Sequence, residues 1–243
     1  MADSRLSAVR IVLVEPLGPI NVGGVARVMK NMGLSHLVLV DPRCDPQGEE
    51  ARRWAVHGQD ILGQGQVVAT LPQALEGCER ILATVGRGVA DVALPQYSPR
   101  QGLPQLITGR ATALIFGRED RGLTNQELGY AHGLVAIPAH EDYPSLNLAQ
   151  AVGVCCYELR QCLGQSTSTV EASTGVTFEA LEGFYDHLEN LLLAVGFLYP
   201  HTAPSRMAKV RSLLARAEMS PAELALLRGM VHQIEWALRS QSS

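Results

Sequence analysis

Apolar residues along the chain gather into short unbroken runs, and these alternate with stretches in which they recur every three or four positions. Residues 10–15 (Arg-Ile-Val-Leu-Val-Glu) form the first run, rich in β-branched side chains and closed by a turn between Pro16 and Pro19, which predicts a strand. Residues 21–33 then place Val25, Val28, Met29 and Met32 on one helical face and stop at Gly33, leaving Arg27 and Lys30 off that stripe. Further strands are predicted at 37–40, 67–69, 80–84, 111–116 and 134–137, with short helices at 50–57 and 71–77. Residues 111–116 (Ala-Thr-Ala-Leu-Ile-Phe) are apolar throughout but for one threonine, as a central parallel strand buried on both faces must be. The alternation predicts an α/β fold with a mostly parallel sheet and helices on both faces.

The last helix of this alternating region is unusually bland. No charged side chain occurs from Leu148 to Tyr157, and Leu148, Ala151, Val152, Val154, Cys155 and Cys156 cover every side of the cylinder, which predicts burial nearly all round. Ser145 and Asn147 stand just before it. Such residues cap the first N–H groups of a helix, and the same N–H groups can hold an electron-rich ligand atom; the residues alone leave both readings open. From Gly164 the texture changes to a Ser/Thr-rich stretch, so the chain divides into a domain at 1–163, a linker at 164–175 and a helical extension at 176–243. In the extension Phe178, Leu181, Phe184, Leu188, Leu191, Leu192 and Val195 form one stripe, and a second helix opens with the cap Ser220-Pro-Ala-Glu223. So short an extension holds little core of its own and is expected to pack on the first domain or on a second copy.

Composition adds boundaries rather than a function. Hydrophobic residues make up 47%, which suits a globular core, and no run approaches the ~18 apolar residues of a membrane span. The first residues carry no apolar signal segment, so a cytoplasmic location without membrane attachment is expected. Five cysteines, at 44, 78, 155, 156 and 162, form no Cys-x-x-Cys pair and the seven histidines are scattered, so neither a disulfide framework nor a metal site is expected. A formal charge of −4 means that any nucleic-acid partner must be met by a local patch.

Three more stretches are candidates for chemistry. The glycine-bearing stretch that starts at Asn21 suits close approach of a phosphate or cofactor, although it is not the dinucleotide fingerprint, and taken alone it is better explained by glycines that serve the turn. Residues 117–123 (Gly-Arg-Glu-Asp-Arg-Gly-Leu) pack four charges between two glycines directly after the best strand. Residues 85–88 (Val-Gly-Arg-Gly) form a loop at a strand's C-terminal end, where open α/β sheets bind ligands, and a plain surface turn fits them equally.

Taken in order, Asn21 to Arg27, the run Phe116-Gly-Arg-Glu119 with Gly122-Leu123, and Ile137-Pro138 with Ser145-Leu-Asn147 resemble the three motifs of the SPOUT (SpoU-TrmD) RNA methyltransferases. The match covers residues 10 to about 160, and its finer pattern is most similar to the branch that methylates tRNA ribose 2′-hydroxyls. The resemblance implies a C-terminal trefoil knot, a bound S-adenosyl-L-methionine (SAM), and a homodimer. It places the cofactor against Thr84, Val85, Gly86, Gly117, Ile137, Ser145, Leu146 and Asn147, and Asn21, Arg27 and Glu119 on the RNA side. Relatives often carry Ser-Ala-Arg where this chain has Val85-Gly86-Arg87, so contacts from that loop fall on backbone. The implied reaction is 2′-O-methylation of a pyrimidine at position 32 of the tRNA anticodon loop, with ribosomal RNA methylation or a non-catalytic RNA-binding dimer as alternatives.

Methyl transfer to a ribose hydroxyl requires in-line approach and relief of charge on oxygen, and needs neither metal nor covalent intermediate. Arg27 is assigned to orient the hydroxyl or an adjacent phosphate and to stabilise developing alkoxide charge; its guanidinium stays protonated and cannot act as the base. Ser145 and Asn147 are assigned to position nucleophile and cofactor. Glu119 fits equally as a structural carboxylate bonding loop N–H groups. Between residues 204 and 217 there are four basic side chains and no acidic one, and Arg206, Lys209 and Arg216 share a face, which predicts an RNA-backbone contact.

Overall fold

The structure, a computed structural model, describes residues 4–86, 93–163, 175–217 and 219–241. Arg87 and the linker residues 164–174 lie outside the described residues. After one N-terminal turn the chain runs β1 (Val9–Val14), α1 (Pro19–Met32), β2 (His36–Val40), α2 (Glu49–Ala55), α3 (Gln59–Gln64), β3 (Gln66–Val68), α4 (Leu71–Leu75) and β4 (Arg80–Val85). It continues through β5 (Gln96–Tyr97), α5 (Pro99–Gly102), β6 (Thr112–Phe116), α6 (Asn125–Leu128), β7 (Gly133–Ala136) and α7 (Leu148–Cys162). The extension holds α8 (Phe178–Ala194), α9 (Ala203–Ala215) and α10 (Pro221–Gln241).

The seven strands form one sheet in the order β3-β2-β1-β6-β4-β7-β5, and every pairing is parallel. Side-chain alternation explains why the strands read as continuous apolar runs. Ile11, Leu13, Leu37, Leu39, Leu82, Leu114 and Phe116 point to the face covered by α1 and α7, while Val12, Val14, Val38, Val40, Ile81, Ala83 and Ile115 point to the face covered by α4 and α6. With both faces covered, a polar side chain in a central strand needs a partner, as Thr112 finds in the Leu106 carbonyl at 2.9 Å. Register sets the C-terminal ends of β6, β4 and β7 side by side: Ala83 lies opposite Ile115, Thr84 opposite Val135 and Val85 opposite Ala136. Gly117, Gly86 and Ile137 therefore leave the sheet at one edge.

Two expectations are corrected. The helix after Asn147 is one-sided in this chain: Leu148, Val152, Cys155, Cys156 and Leu159 are buried, whereas Val154 and Tyr157 are exposed. Apolar residues all round a helix need two partners, and a single chain supplies one. Gly23 and Gly24 lie inside α1 rather than in the turn before it. A side chain at Gly23 would collide with the Ala51 carbonyl of α2, and one at Gly24 would meet Ala149 of α7 at 3.1 Å, so these glycines let helices approach. The extension has its own small core around Phe184, Leu191, Leu198, Met207 and Val231. It also docks on the first domain: Phe178 enters the α4–α6 face and meets Tyr130 edge-on at 5.7 Å, its N–H bonds the Cys78 carbonyl at 2.9 Å, and Glu179 accepts from Gly77. Burying that phenylalanine contributes about 2 kcal/mol.

Candidate functional site

Three separated sequence stretches meet in one chain of hydrogen bonds at the C-terminal edge of the sheet. Glu119 follows β6 and accepts from the Leu17 N–H at 2.9 Å, the Gly18 N–H at 3.2 Å and the Asn21 amide nitrogen at 2.9 Å. The Asn21 side-chain oxygen accepts from the Asn147 amide nitrogen at 2.9 Å, and the Asn147 oxygen caps α7 by accepting from the Ala149 N–H at 2.9 Å. Each amide thus donates to one partner and accepts from the next, which fixes both flips. The carboxylate of Glu119 is occupied by the loop after β1 and by Asn21, and holds the first motif against the third.

Gly117 makes the preceding turn possible. A side chain there would strike the Gly122–Leu123 backbone, because the loop closes on itself with the Gly122 N–H bonding the Arg118 carbonyl at 2.8 Å. The remaining charges of this loop are also explained. Arg118 and Arg121 reach Glu15 at the end of β1, at 3.1 and 3.0 Å, and Arg43 joins them at 2.8 Å. Arg118 further pairs with Asp120, and Arg121 with Glu127, which completes the capping box of α6 with Thr124. Hydrogen bonds from Arg43 and Arg121 hold the Glu15 carboxyl down to about 2. Glu15 and Asp41, at the ends of β1 and β2, both adopt positive φ, 47° and 43°, and the ion cluster holds these strained positions in place.

Beside this network lies an open cleft of about 620 Å³, lined by Ile137, Pro138, Ser145 and Leu146 from the third motif and by Ser98–Arg100, Tyr143, Gln150, Val154 and Glu158. Its size and largely apolar walls suit a nucleoside-sized ligand. Three of the expected cofactor residues, Ile137, Ser145 and Leu146, are brought together here, and Asn147 follows them as the cap. Thr84 spends its hydroxyl on the Ile115 carbonyl at 2.9 Å, and Val85 packs toward the α4–α6 core, so that strand end offers backbone rather than side chains. Arg27 is exposed on α1, makes no hydrogen bond or ion pair among the described residues, and does not line this cleft. Arg206, Lys209 and Arg216 are exposed at α9, remote in sequence from the three motifs. Arg211, the fourth base of that run, is tied to Glu182 and lies 4.3 Å over the Tyr185 ring, so it adds nothing to the exposed patch. The contribution of Ser98–Arg100 was missed from sequence; its signal was the capping box Ser98-Pro-Arg-Gln101.

Burial raises the Cys155 thiol to about 12 and Cys156 further, so both remain packed thiols at neutral pH. Among the described residues no group of His, Cys, Asp and Glu is placed to hold a metal ion, and no helix is long and apolar enough to cross a membrane.

Comparison with known proteins agrees with this geometry. The model of the SpoU rRNA Methylase family matches residues 8–157, and that of the tRNA methyltransferase TrmJ C-terminal domain matches residues 179–243. The tRNA (cytidine/uridine-2′-O-)-methyltransferase TrmJ of Klebsiella pneumoniae is 43% identical over 239 residues, covering 95% of this chain and 97% of that protein. The tRNA (cytidine/uridine/adenosine-2′-O-)-methyltransferase TrmJ of Pseudomonas aeruginosa is 39% identical over 253 residues, covering 98% and 97%. The crystal structure of TrmJ from Z. mobilis ZM4 superposes with a TM-score of 0.82 at 30% identity, covering 93% of this chain and 98% of that one. The chain therefore belongs to the SpoU methylase family, in the branch formed by the TrmJ methyltransferases.

Proposed function

We propose that this protein transfers a methyl group to the ribose 2′-hydroxyl of a pyrimidine at position 32 of the tRNA anticodon loop, with SAM as donor and as a homodimer. The observation that carries the reading is the bond chain from Glu119 through Asn21 to Asn147, because it joins the three family motifs into one rigid unit beside a nucleoside-sized cleft. The tRNA substrate is favoured over ribosomal RNA by the extension, whose family model and near full-length relatives are tRNA methyltransferases.

The cleft fits SAM by volume and lining. Ile137 and Leu146 supply apolar walls and Ser145 a hydroxyl, whereas Thr84, Val85, Gly86 and Gly117 stand on the neighbouring sheet edge and are not among the described lining residues. When bound, SAM supplies an electrophilic methyl on a sulfonium. Asn147 caps the entry to α7 and Ser145 lines the cleft, and both act through orientation of nucleophile and cofactor. Arg27 orients the hydroxyl or its neighbouring phosphate and stabilises the negative charge that develops on oxygen. The proton passes to a phosphate oxygen or water, since the guanidinium cannot accept it. Val154 and Tyr157 give α7 an outer apolar face for its twin, and Arg27, absent from its own cleft, serves the cleft of the partner. A fully active monomer in sedimentation at micromolar concentration would contradict that arrangement.

Labelled SAM incubated with unmodified tRNA or rRNA fragments, followed by digestion to nucleosides, tests the function. A 2′-O-methylated pyrimidine from tRNA alone is expected; none from any of several tRNAs would overturn the reading. Replacing Arg206, Lys209 and Arg216 together by glutamine is expected to weaken tRNA binding and flatten its salt dependence with SAM affinity intact, because three phosphate contacts account for about 2 to 3 units of the log–log salt slope. Equal tRNA affinity at two salt concentrations would remove α9 from the interface.

A further inference from the structure

The turn that joins α8 to α9 carries large aromatic side chains where a solvent-facing turn is ordinarily polar. Leu198 is buried in the core of the extension, while its neighbours Phe197 and Tyr199 are 57% and 54% exposed. The turn is rigid. The N–H groups of Phe197 and Leu198 both bond the Leu192 carbonyl at 3.0 Å, and the Tyr199 carbonyl accepts from the Thr202 N–H and the Ala203 N–H at 2.8 Å each. Tyr199 and His201 stack with ring planes 24° apart and centroids 6.0 Å apart. Arg206 donates to the Phe197 carbonyl at 2.8 Å and sets its guanidinium 5.6 Å from the Phe197 ring centroid.

These rings therefore present pre-ordered π faces to solvent, and the stretch of sequence that carries them is basic. From Val195 to Ala217 the sequence contains no acidic residue, in a chain whose net charge is −4, and Lys209 and Arg216 are exposed nearby. The helix that follows the turn also touches the first domain: Ser212, one of two buried polar residues among the described residues, donates from α9 to the Ala93 carbonyl at 2.5 Å, just before β5. Exposed aromatic faces beside arginine in a basic setting are the means by which proteins hold unpaired bases, since every base has a π face and every linkage a phosphate.

We propose that Phe197, Tyr199 and His201, propped by Arg206, form a stacking platform for unpaired nucleotides of the RNA substrate. This rests on the reading of the protein as a tRNA-modifying enzyme and adds a second, base-contacting site to it. It differs from the phosphate contacts assigned to Arg206, Lys209 and Arg216 because stacking is insensitive to salt; Arg206 takes part in both, with one NH group on the Phe197 carbonyl.

The test compares the full chain with a Phe197→Leu/Tyr199→Leu variant, which keeps apolar surface but removes the rings, and a Phe197→Trp/Tyr199→Trp variant, which keeps the rings. Affinity for an unmodified tRNA transcript is measured at two salt concentrations, with SAM affinity as the check on folding. The leucine variant is expected to bind tRNA about tenfold or more weakly with an unchanged salt slope, and the tryptophan variant to stay within about twofold of wild type. Leucine and wild-type chains binding tRNA equally would overturn the platform. A loss of self-association in the leucine variant without loss of tRNA affinity would assign the turn to a protein contact instead. A wild-type chain that binds no tRNA would overturn the tRNA reading itself, and this inference with it.

Discussion

Replacing Arg27 by alanine is expected to lower methyl transfer to tRNA by about two orders of magnitude or more, the scale of losing a donor aimed at developing charge. Arg27 is exposed and without a hydrogen-bond or ion-pair partner among the described residues, so its removal leaves no orphaned group and no cavity. Thermal stability and SAM affinity should therefore match wild type. Arg27→Lys keeps the charge but loses the planar fork, and should recover only part of the rate. Single-turnover methylation with saturating tRNA gives the chemical step directly. An alanine variant with undiminished turnover would show that another group carries the charge.

Replacing Glu119 by alanine is expected to be the most damaging change in the network. The Leu17 and Gly18 N–H groups and the Asn21 amide lose their shared acceptor, and Asn21 is then free to turn away from Asn147. Partly buried donors left unpaired cost about 1 to 3 kcal/mol, so the melting temperature should fall. The turn before α7 loses its register with the first motif, and displacements near 1 Å in such a site cost on the order of a hundredfold in rate. Glu119→Gln retains one acceptor oxygen and should restore stability more fully than turnover. If Glu119→Ala lowers the melting temperature and leaves turnover intact, the network supports the fold without positioning the reaction.

The sheet was legible in the sequence because its strands are buried on both faces, and burial on both faces forces unbroken runs such as residues 111–116. The two-residue strand β5 and the turn of α5 were not, since two residues have no period; only the capping box at Ser98 marked them. In α7 the apolar pattern overstated burial, because the outward Val154 and Tyr157 lack a partner within one chain. A trefoil knot, which belongs to this fold family, leaves no trace in periodicity, and the general rule against threaded chains points away from it. The motifs were legible singly, but their joining was not. Asn21 meets a carboxylate 98 residues away and an amide 126 residues away, and no local pattern encodes such pairs. Charge counting likewise cannot see that Arg211, left off the face shared by Arg206, Lys209 and Arg216, is tied by the fold to Glu182.

The most direct test of the account uses two tRNA transcripts that differ by one oxygen, one with an ordinary ribose at pyrimidine 32 and one with a 2′-deoxyribose there. Each is incubated with the protein and labelled SAM, and incorporated methyl is counted. The ribose transcript is predicted to accept a stoichiometric methyl and the deoxy transcript none. Equal incorporation into both would contradict methylation of that hydroxyl.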